Sequence, residues 1–282
     1  MMAYTQKNDA YIMNPEREIE NICNWIKNYF VNNGPNSKAV IGISGGKDST
    51  VAAMLLVKAL GKDRVVGVRM PEHKQEDIDD AITVCTTLNI ESHEIDIGPT
   101  CQKLYNAMMD GTMGNLMINP QIISNTPCRI RMATLYMVAS AVGGRVANTC
   151  NWSEDYVGYS TKYGDAAGDF AILSKYAVRE VIAIGTILAK EFGIPLELIT
   201  KTPSDGLCGK SDEDNLGFTY DTLDSLLLDG IVPEYDIYKN IMERYRRNEH
   251  KTRAIRLPAP RPYVLRDRRV WEYRDEEGCF EF

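Results

Sequence analysis

The sequence predicts an α/β fold: a parallel sheet flanked by helices, followed by a largely helical C-terminal part. Three observations carry that expectation. Short β-branched runs alternate with helical stretches through the first half of the chain, as strands joined by crossover helices must. A glycine-rich turn separates the first of those runs from the helix that follows it. Beyond Ser174 the spacing is almost wholly helical.

Taken in order, Lys38 to Ile43 reads as a short buried strand, β-branched and unpunctuated. Val51 to Leu60 is an apolar helix that stops at Gly61. Arg64 to Met70 is a second strand, and Glu76 to Leu88 a helix carrying Ile78, Ile82 and Cys85 on one stripe. Ile90 to Ile97 alternates as a third strand, and Thr100 to Met109 is helical. Arg129 to Val142 is apolar on most faces, which predicts a buried helix, and Arg145 to Thr149 is a fourth strand. Helices are expected at 176–191, 219–229 and 234–247, while 257–269 has no clear period. No repeat and no linker rich in Gly, Ser or Pro divides the chain, so 1–282 is expected to be one domain, with the α/β core at 38–175 and the mostly helical region at 176–282.

The 282 residues are 44% hydrophobic and 25% charged, enough apolar material for a full core. Disordered, collagen-like and low-complexity classes are excluded. A net charge of -7 argues against a dedicated nucleic-acid binder. No stretch reaches the ~18 apolar residues of a membrane span, and the N-terminus has no apolar core of a secretory signal. The expectation is therefore a cytoplasmic protein. Its seven cysteines are scattered with no CxxC pair, as reduced thiols would be. Cys23 shares a stripe with Ile19 and Ile26 and belongs to the core. Ten Lys/Arg against three Asp/Glu between Ile241 and Val270 make a basic tail. It can sit on substrate phosphates, on a partner subunit or in water.

Chemistry concentrates in Gly42-Ile43-Ser44-Gly45-Gly46-Lys47-Asp48-Ser49. Gly45 and Gly46 allow a tight turn that aims backbone N–H groups at an anion. Ser44 and Ser49 add hydroxyl donors, and the following helix presents its positive end. The loop lacks the four-residue spacer of a Walker A sequence, so a P-loop NTPase is excluded. Asp48 beside phosphates requires a cation between them, which points to Mg²⁺.

That loop resembles the pyrophosphate-binding loop of the N-type ATP pyrophosphatases, which adenylate a substrate oxygen. Later segments narrow the resemblance to the ammonia-dependent NAD synthetases. Asn125 to Arg131 matches an NxxxRxR pattern, in which Asn125 or Thr126 can cap a helix with Pro127 in its first turn. Arg129 is the residue expected to reach the dinucleotide. Arg131 points roughly 200° away, from ~3.6 residues per turn, and either forms an ion pair or contacts ligand. Thr149 to Glu154 resembles a TxxxxE segment, with Thr149 near ATP and Glu154 joining Asp48 on the metal; Asn148 stands where a glycine is usual. Thr161 to Asp169 resembles a TKYGD…D segment. There Lys162 and Asp169 contact deamido-NAD, and Asp165 lies where ammonia arrives as catalytic base. Ser204 falls in a loop near the ATP phosphates, where the role of Asp205 is open. His250 and Lys251 resemble a His-Lys pair of the substrate site. A phosphate-contacting lysine of many relatives is replaced by Val178, with Lys175, Arg179 or more reliance on Mg²⁺ as substitutes.

The resemblance implies an adenine nucleotide α-hydrolase-like, Rossmann-like fold and a ligase that amidates deamido-NAD with ammonia, ATP as co-substrate and Mg²⁺ as cofactor. It also implies a homodimer, with no nucleic-acid or membrane partner. The rivals are a tRNA-modifying member of the superfamily and a non-catalytic nucleotide-binding module.

Overall fold

The computed structural model describes residues 13–73, 78–201 and 212–252. Helix α1 (Pro15–Asn33) opens under an Asn14 cap, whose side chain accepts the Arg17 N–H at 2.8 Å. The order then runs β1 (Ala39–Gly42), α2 (Lys47–Leu60), β2 (Val65–Arg69), α3 (Ile78–Thr87), β3 (Glu91–Glu94), α4 (Gly98–Gly111), α5 (Pro120–Val142) and β4 (Arg145–Asn148). It continues through α6 (Trp152–Val157), β5 (Phe170–Ala171), α7 (Val178–Phe192), α8 (Glu197–Thr200), α9 (Asp212–Leu216), α10 (Tyr220–Asp229) and α11 (Tyr235–Thr252).

All five strands are parallel, in the order β3-β2-β1-β4-β5. Chain direction across the sheet therefore reverses between β1 and β4. In open α/β sheets ligands bind at that switch, beyond the carboxyl ends of the strands. One face of the sheet packs on α1, α2, α3, α7 and α8 through Ile26, Phe30, Val51, Leu55, Ile184 and Leu188. The other face packs on α4 and α5 through Val40, Val68, Ile97 and Ala139. A third cluster, with Val157, Leu216, Phe218 and Leu223, joins α6, α7, α10 and α11 beside the sheet.

The expected strands and helices are present, but α1, α6, α8 and α9 are not among them, and the following elements differ. Helix α2 starts at Lys47, so the glycine turn runs directly into it. Strand β3 is cut to four residues, an edge strand whose charged Glu-Ser-His-Glu leaves no apolar edge to pair. On α3 the buried residues are Ala81, Val84 and Cys85, and Ile82 is exposed. Helix α5 begins at Pro120 under an Asn119 cap, with Pro127 inside it, so neither Asn125 nor Thr126 is its cap. Nor is α5 buried on most faces: Ile123 and Met137 are exposed, and it buries only Pro127, Thr134 and Ala139. Strand β5 has no counterpart in the sequence pattern; two residues are too few to show a period. The described cysteines Cys23, Cys85, Cys101, Cys128 and Cys150 are free thiols, and Cys23 is in the core as expected. No helix among the described residues is long and apolar enough to cross a membrane.

Close approach of α7 to α2 and α8 depends on Gly185. A Cβ there would meet Val51 Cγ2 at 2.6 Å and Ile199 Cγ2 at 2.8 Å. Overpacking of that kind costs about 1–3 kcal/mol, against about 1 kcal/mol that alanine gains in a helix. Gly185→Ala should therefore lower unfolding stability by about 1 kcal/mol in a urea titration, whereas an exposed helix glycine would gain.

Candidate active site

Loop Gly42–Ser49 leaves β1 at the switch. Ile43 stays in register through its N–H to the Val68 carbonyl at 3.0 Å. The chain then turns at Gly45, whose φ of 82° is unfavourable for a side-chain-bearing residue. Ser44 and Ser49 hydroxyls meet at 3.1 Å, and the Gly46 N–H donates to Ser44 Oγ at 3.2 Å. Gly46 caps α2 with no side-chain acceptor over the first turn. The helix start is thus open, with its positive end and two hydroxyls at one place, which is an anion cradle.

Across the switch, β4 leads into α6. Asn151 caps α6 in a capping box: its side chain accepts the Glu154 N–H at 3.0 Å, and Glu154 accepts the Asn151 N–H at 3.1 Å. The same Asn151 donates Nδ2–H to Asp48 Oδ1 at 3.1 Å, joining the two loops directly. Thr149 lies in the segment between β4 and this cap. Burial and then the neighbouring Asp48 push the Glu154 carboxyl well above its ordinary range. Lys47, which the sequence places among the cradle residues, is buried and donates to Asp48 Oδ2 at 2.7 Å. Burial works to lower its pKa, but Asp48 and Glu154 outweigh that and hold the ammonium above its usual value. Two carboxylates beside a cradle are hard oxygen donors suited to Mg²⁺. Among the described residues no group of three or more His, Cys, Asp or Glu forms a closed cage. Asp48 and Glu154 therefore fit a metal completed by phosphate oxygens and water.

The TKYGD segment folds as a tight turn beside this junction. Asp165 accepts the Thr161 N–H at 2.9 Å, and its backbone carbonyl accepts Asn148 Nδ2–H at 2.8 Å. Asn148, the departure from a glycine, thus holds the loop. A Cβ at Gly168 would come within 2.7 Å of Asn148 Cβ and 2.8 Å of its nitrogen, so the glycine is needed there. Asp165 is an exposed residue, yet lost solvation of its carboxyl raises it above the usual range. Beneath it, burial and then Asp165 push the Cys128 thiol up to about 11. Thr161 Oγ1 meets Asn125 Oδ1 at 2.8 Å, which is the place of Asn125.

Lys162 donates to the His250 carbonyl at 2.6 Å, and Arg129 donates to the Lys162 carbonyl at 3.3 Å. The expected substrate residues Arg129, Lys162 and His250 therefore meet. Lys251 is turned inward, donating to the Gly158 and Ser160 carbonyls at 2.8 and 2.9 Å. Asp169 stands apart from the cradle at the start of β5. Its carboxylate accepts the Val146 N–H at 2.7 Å and the Tyr136 hydroxyl at 3.3 Å. Arg131 donates its Nε–H to the Met70 carbonyl at 3.1 Å, beyond the end of β2, and forms no ion pair among the described residues. Val178 is core, and Arg179 is tied to Asp229 at 2.9 Å, so neither faces the cradle. Ser204 and Asp205 lie outside the described residues.

Two features are invisible in the sequence. Trp25, Tyr29 and Phe170 form an aromatic wall beside Asp169, with Tyr29 and Phe170 centroids 4.6 Å apart. Only tertiary packing joins α1 to β5. Asp155 lines a cavity of about 200 Å³ with Asn148, Asp169, Phe170 and Lys251. Burial, then Asp165, raises its carboxyl to about 6.

An anion cradle beside acidic residues at the switch point suits a phosphate-bearing ligand held with a cation, and comparison with known proteins narrows that class. The chain belongs to the NAD synthase family, whose model matches residues 18–256. It is 34% identical over 238 residues to the NH(3)-dependent NAD(+) synthetase of Pyrococcus furiosus, covering 79% of this chain and 89% of that one. Among solved structures, an NMN synthetase from Francisella tularensis superposes with a TM-score of 0.79 at 31% identity, covering 88% and 99% of the two chains. An NAD+ synthetase from Burkholderia pseudomallei superposes with a TM-score of 0.69 at 26% identity, covering 85% and 90%.

The raised carboxyl of Asp155 has a stability consequence. An acid whose folded pKa is raised costs stability wherever it must ionise in the fold. Below pH ~4 folded and unfolded chains both hold the proton and the cost is zero. Above pH ~6 both are ionised and the cost reaches up to about 3 kcal/mol. Asp155→Asn in chelator should therefore melt higher than wild type at neutral pH, with the gain fading as pH falls through that window.

Proposed function

We propose that this ligase amidates deamido-NAD to NAD with ammonia, in two steps through an acyl-adenylate. The observation that carries the reading is the Asp48–Asn151 contact. It brings the anion cradle and the Asp48/Glu154 pair to one end of the sheet. In the first step the nicotinate carboxylate attacks the α-phosphorus of ATP and the bond to pyrophosphate breaks. The Ser44 and Ser49 hydroxyls and the α2 start would face the pyrophosphate and stabilise the charge it gains. Gly42, Ile43 and Gly45 shape that loop, and Thr149 and Ser204 are the further ATP contacts. Asp48 and Glu154 would hold Mg²⁺, which when bound neutralises phosphate charge.

In the second step ammonia attacks the acyl carbon and AMP leaves. Asp165 draws in ammonium and takes its proton, since only neutral ammonia has the free lone pair. Arg129, Lys162 and His250 meet the charged part of the substrate, with Lys251 bracing their loop. Asp169 and the Trp25/Tyr29/Phe170 wall offer a polar and stacking surface beside it. A second copy of the chain is the proposed partner. Met113, Leu116, Met117 and Ile118, between α4 and α5, and Ile123 in the first turns of α5 are all exposed, and a solution mass measurement checks it.

One observation favours a second reading of substrate size: of the two solved structures compared, the NMN synthetase has the higher TM-score. The deciding experiment supplies ATP, Mg²⁺ and ammonium with either deamido-NAD or the nicotinate mononucleotide. Product and AMP are quantified together. Preference for deamido-NAD by kcat/KM supports the dinucleotide reading, and the reverse replaces it.

Asp48→Asn should abolish pyrophosphate release at ordinary Mg²⁺, and wild-type turnover would remove Asp48 from the metal site. Asp165→Asn should still release pyrophosphate in a single turnover and then stall before amidation. Raising the pH should partly rescue it by supplying free ammonia. Equal loss of both half-reactions without rescue would make Asp165 a loop-holding residue.

A further inference from the structure

Lys47 is the charged residue of the glycine loop that is buried behind the cradle. Its side chain, on the first residue of α2, is only 3% exposed. The ammonium lies 6.0 Å from the centre of the Tyr220 ring, with Asp48, Glu154 and Asp212 as its charged neighbours. Both oxygens of Asp48 are thereby engaged, one by Lys47 and one by Asn151. A lysine is rarely buried unless its charge is matched. Here the matching groups are the carboxylates that the proposed function gives to a divalent cation.

We infer that Lys47 is a positioning residue, an internal counter-ion that holds Asp48 and Glu154 in place of the metal and has to release Asp48 when the metal binds. The inference rests on the metal reading of that pair. Without Lys47 two adjacent carboxylates would repel each other inside the fold. With it, a free divalent cation meets a competing positive charge at close range. A cation arriving with ATP brings phosphate charge that offsets the competition. Lys47 therefore makes metal occupancy depend on nucleotide and keeps the empty site ordered.

The test is Mn²⁺ binding to the full chain without nucleotide, at mildly alkaline pH, read by calorimetry and by the paramagnetic signal of free Mn²⁺. Lys47→Met removes the charge at similar length and should bind Mn²⁺ about tenfold tighter than wild type, because a like charge near the ion is gone. Lys47→Arg should retain wild-type affinity. A purely structural salt bridge predicts the opposite sign, since its loss loosens the ligands. Unchanged or weaker binding in folded Lys47→Met therefore overturns the inference while leaving the metal site intact. If Lys47→Met does not fold, wild-type protein with isotope-labelled lysine decides: Mg²⁺ added to the ATP-bound protein should shift the Lys47 side-chain resonance beyond ATP alone, and a resonance that Mg²⁺ leaves unmoved overturns the inference. Mn²⁺ binding that does not depend on Asp48, read in Asp48→Asn, overturns the metal reading itself and the inference with it.

Discussion

Pairing of β1 with β4 is the constraint on which the site depends. Ala39 lies opposite Arg145 and Val40 opposite Val146, in parallel, although the strands are about a hundred residues apart in sequence. Because both run the same way, their carboxyl ends open at the same edge. The loops that follow, Gly42–Ser49 and Thr149–Asn151, then face each other. The direct bond from Asn151 to Asp48 is the outcome of that register. A parallel pair cannot be closed by a short turn, so everything between the two strands exists partly to bring them side by side.

Around that junction the fold solves a charge problem. Asp48, Glu154 and Asp212 bring negative charge together near the wall formed by Tyr220. Each would be costly alone in a poorly solvated place. Hydrogen bonds from Asn151 and the buried ammonium of Lys47 offset that cost and hold the group in order. A second network does similar work behind α6. There Asp224 accepts from the Ser153 hydroxyl at 2.5 Å and the Arg179 N–H at 2.7 Å, tying the helix of Glu154 to α7 and α10. The helical region beyond the sheet thus backs the junction of the two loops.

Much of the fold is legible because strands buried on both faces show as unbroken β-branched runs. Lys38–Ile43 and Arg64–Met70 each lie within a residue of the observed strand ends. The start of α5 differs from the expectation for a physical reason. The helix carries two Asn-to-Pro start signals, Asn119-Pro120 and Asn125-Thr126-Pro127, and local chemistry does not say which one the chain uses. A proline in the body of a helix removes a hydrogen bond, so Pro127 has the character of a first-turn residue. The expected burial of α5 failed because apolar residues such as Ile123 and Met137 also face outward, and composition does not distinguish the two faces.

The sequence by itself marked the candidate residues: a cradle at Ser44–Ser49, carboxylates at Asp48 and Glu154, and basic residues at Arg129, Lys162 and His250. These follow from residue type and spacing along short stretches, where backbone geometry is local. Tertiary structure alone decided which of them meet. It turned Lys47 from phosphate to carboxylate, sent Arg131 to the Met70 carbonyl and buried Val178 in the core. It also built the aromatic wall from α1 and β5. A side chain's direction depends on the packing around it, and that packing comes from segments far away in the chain.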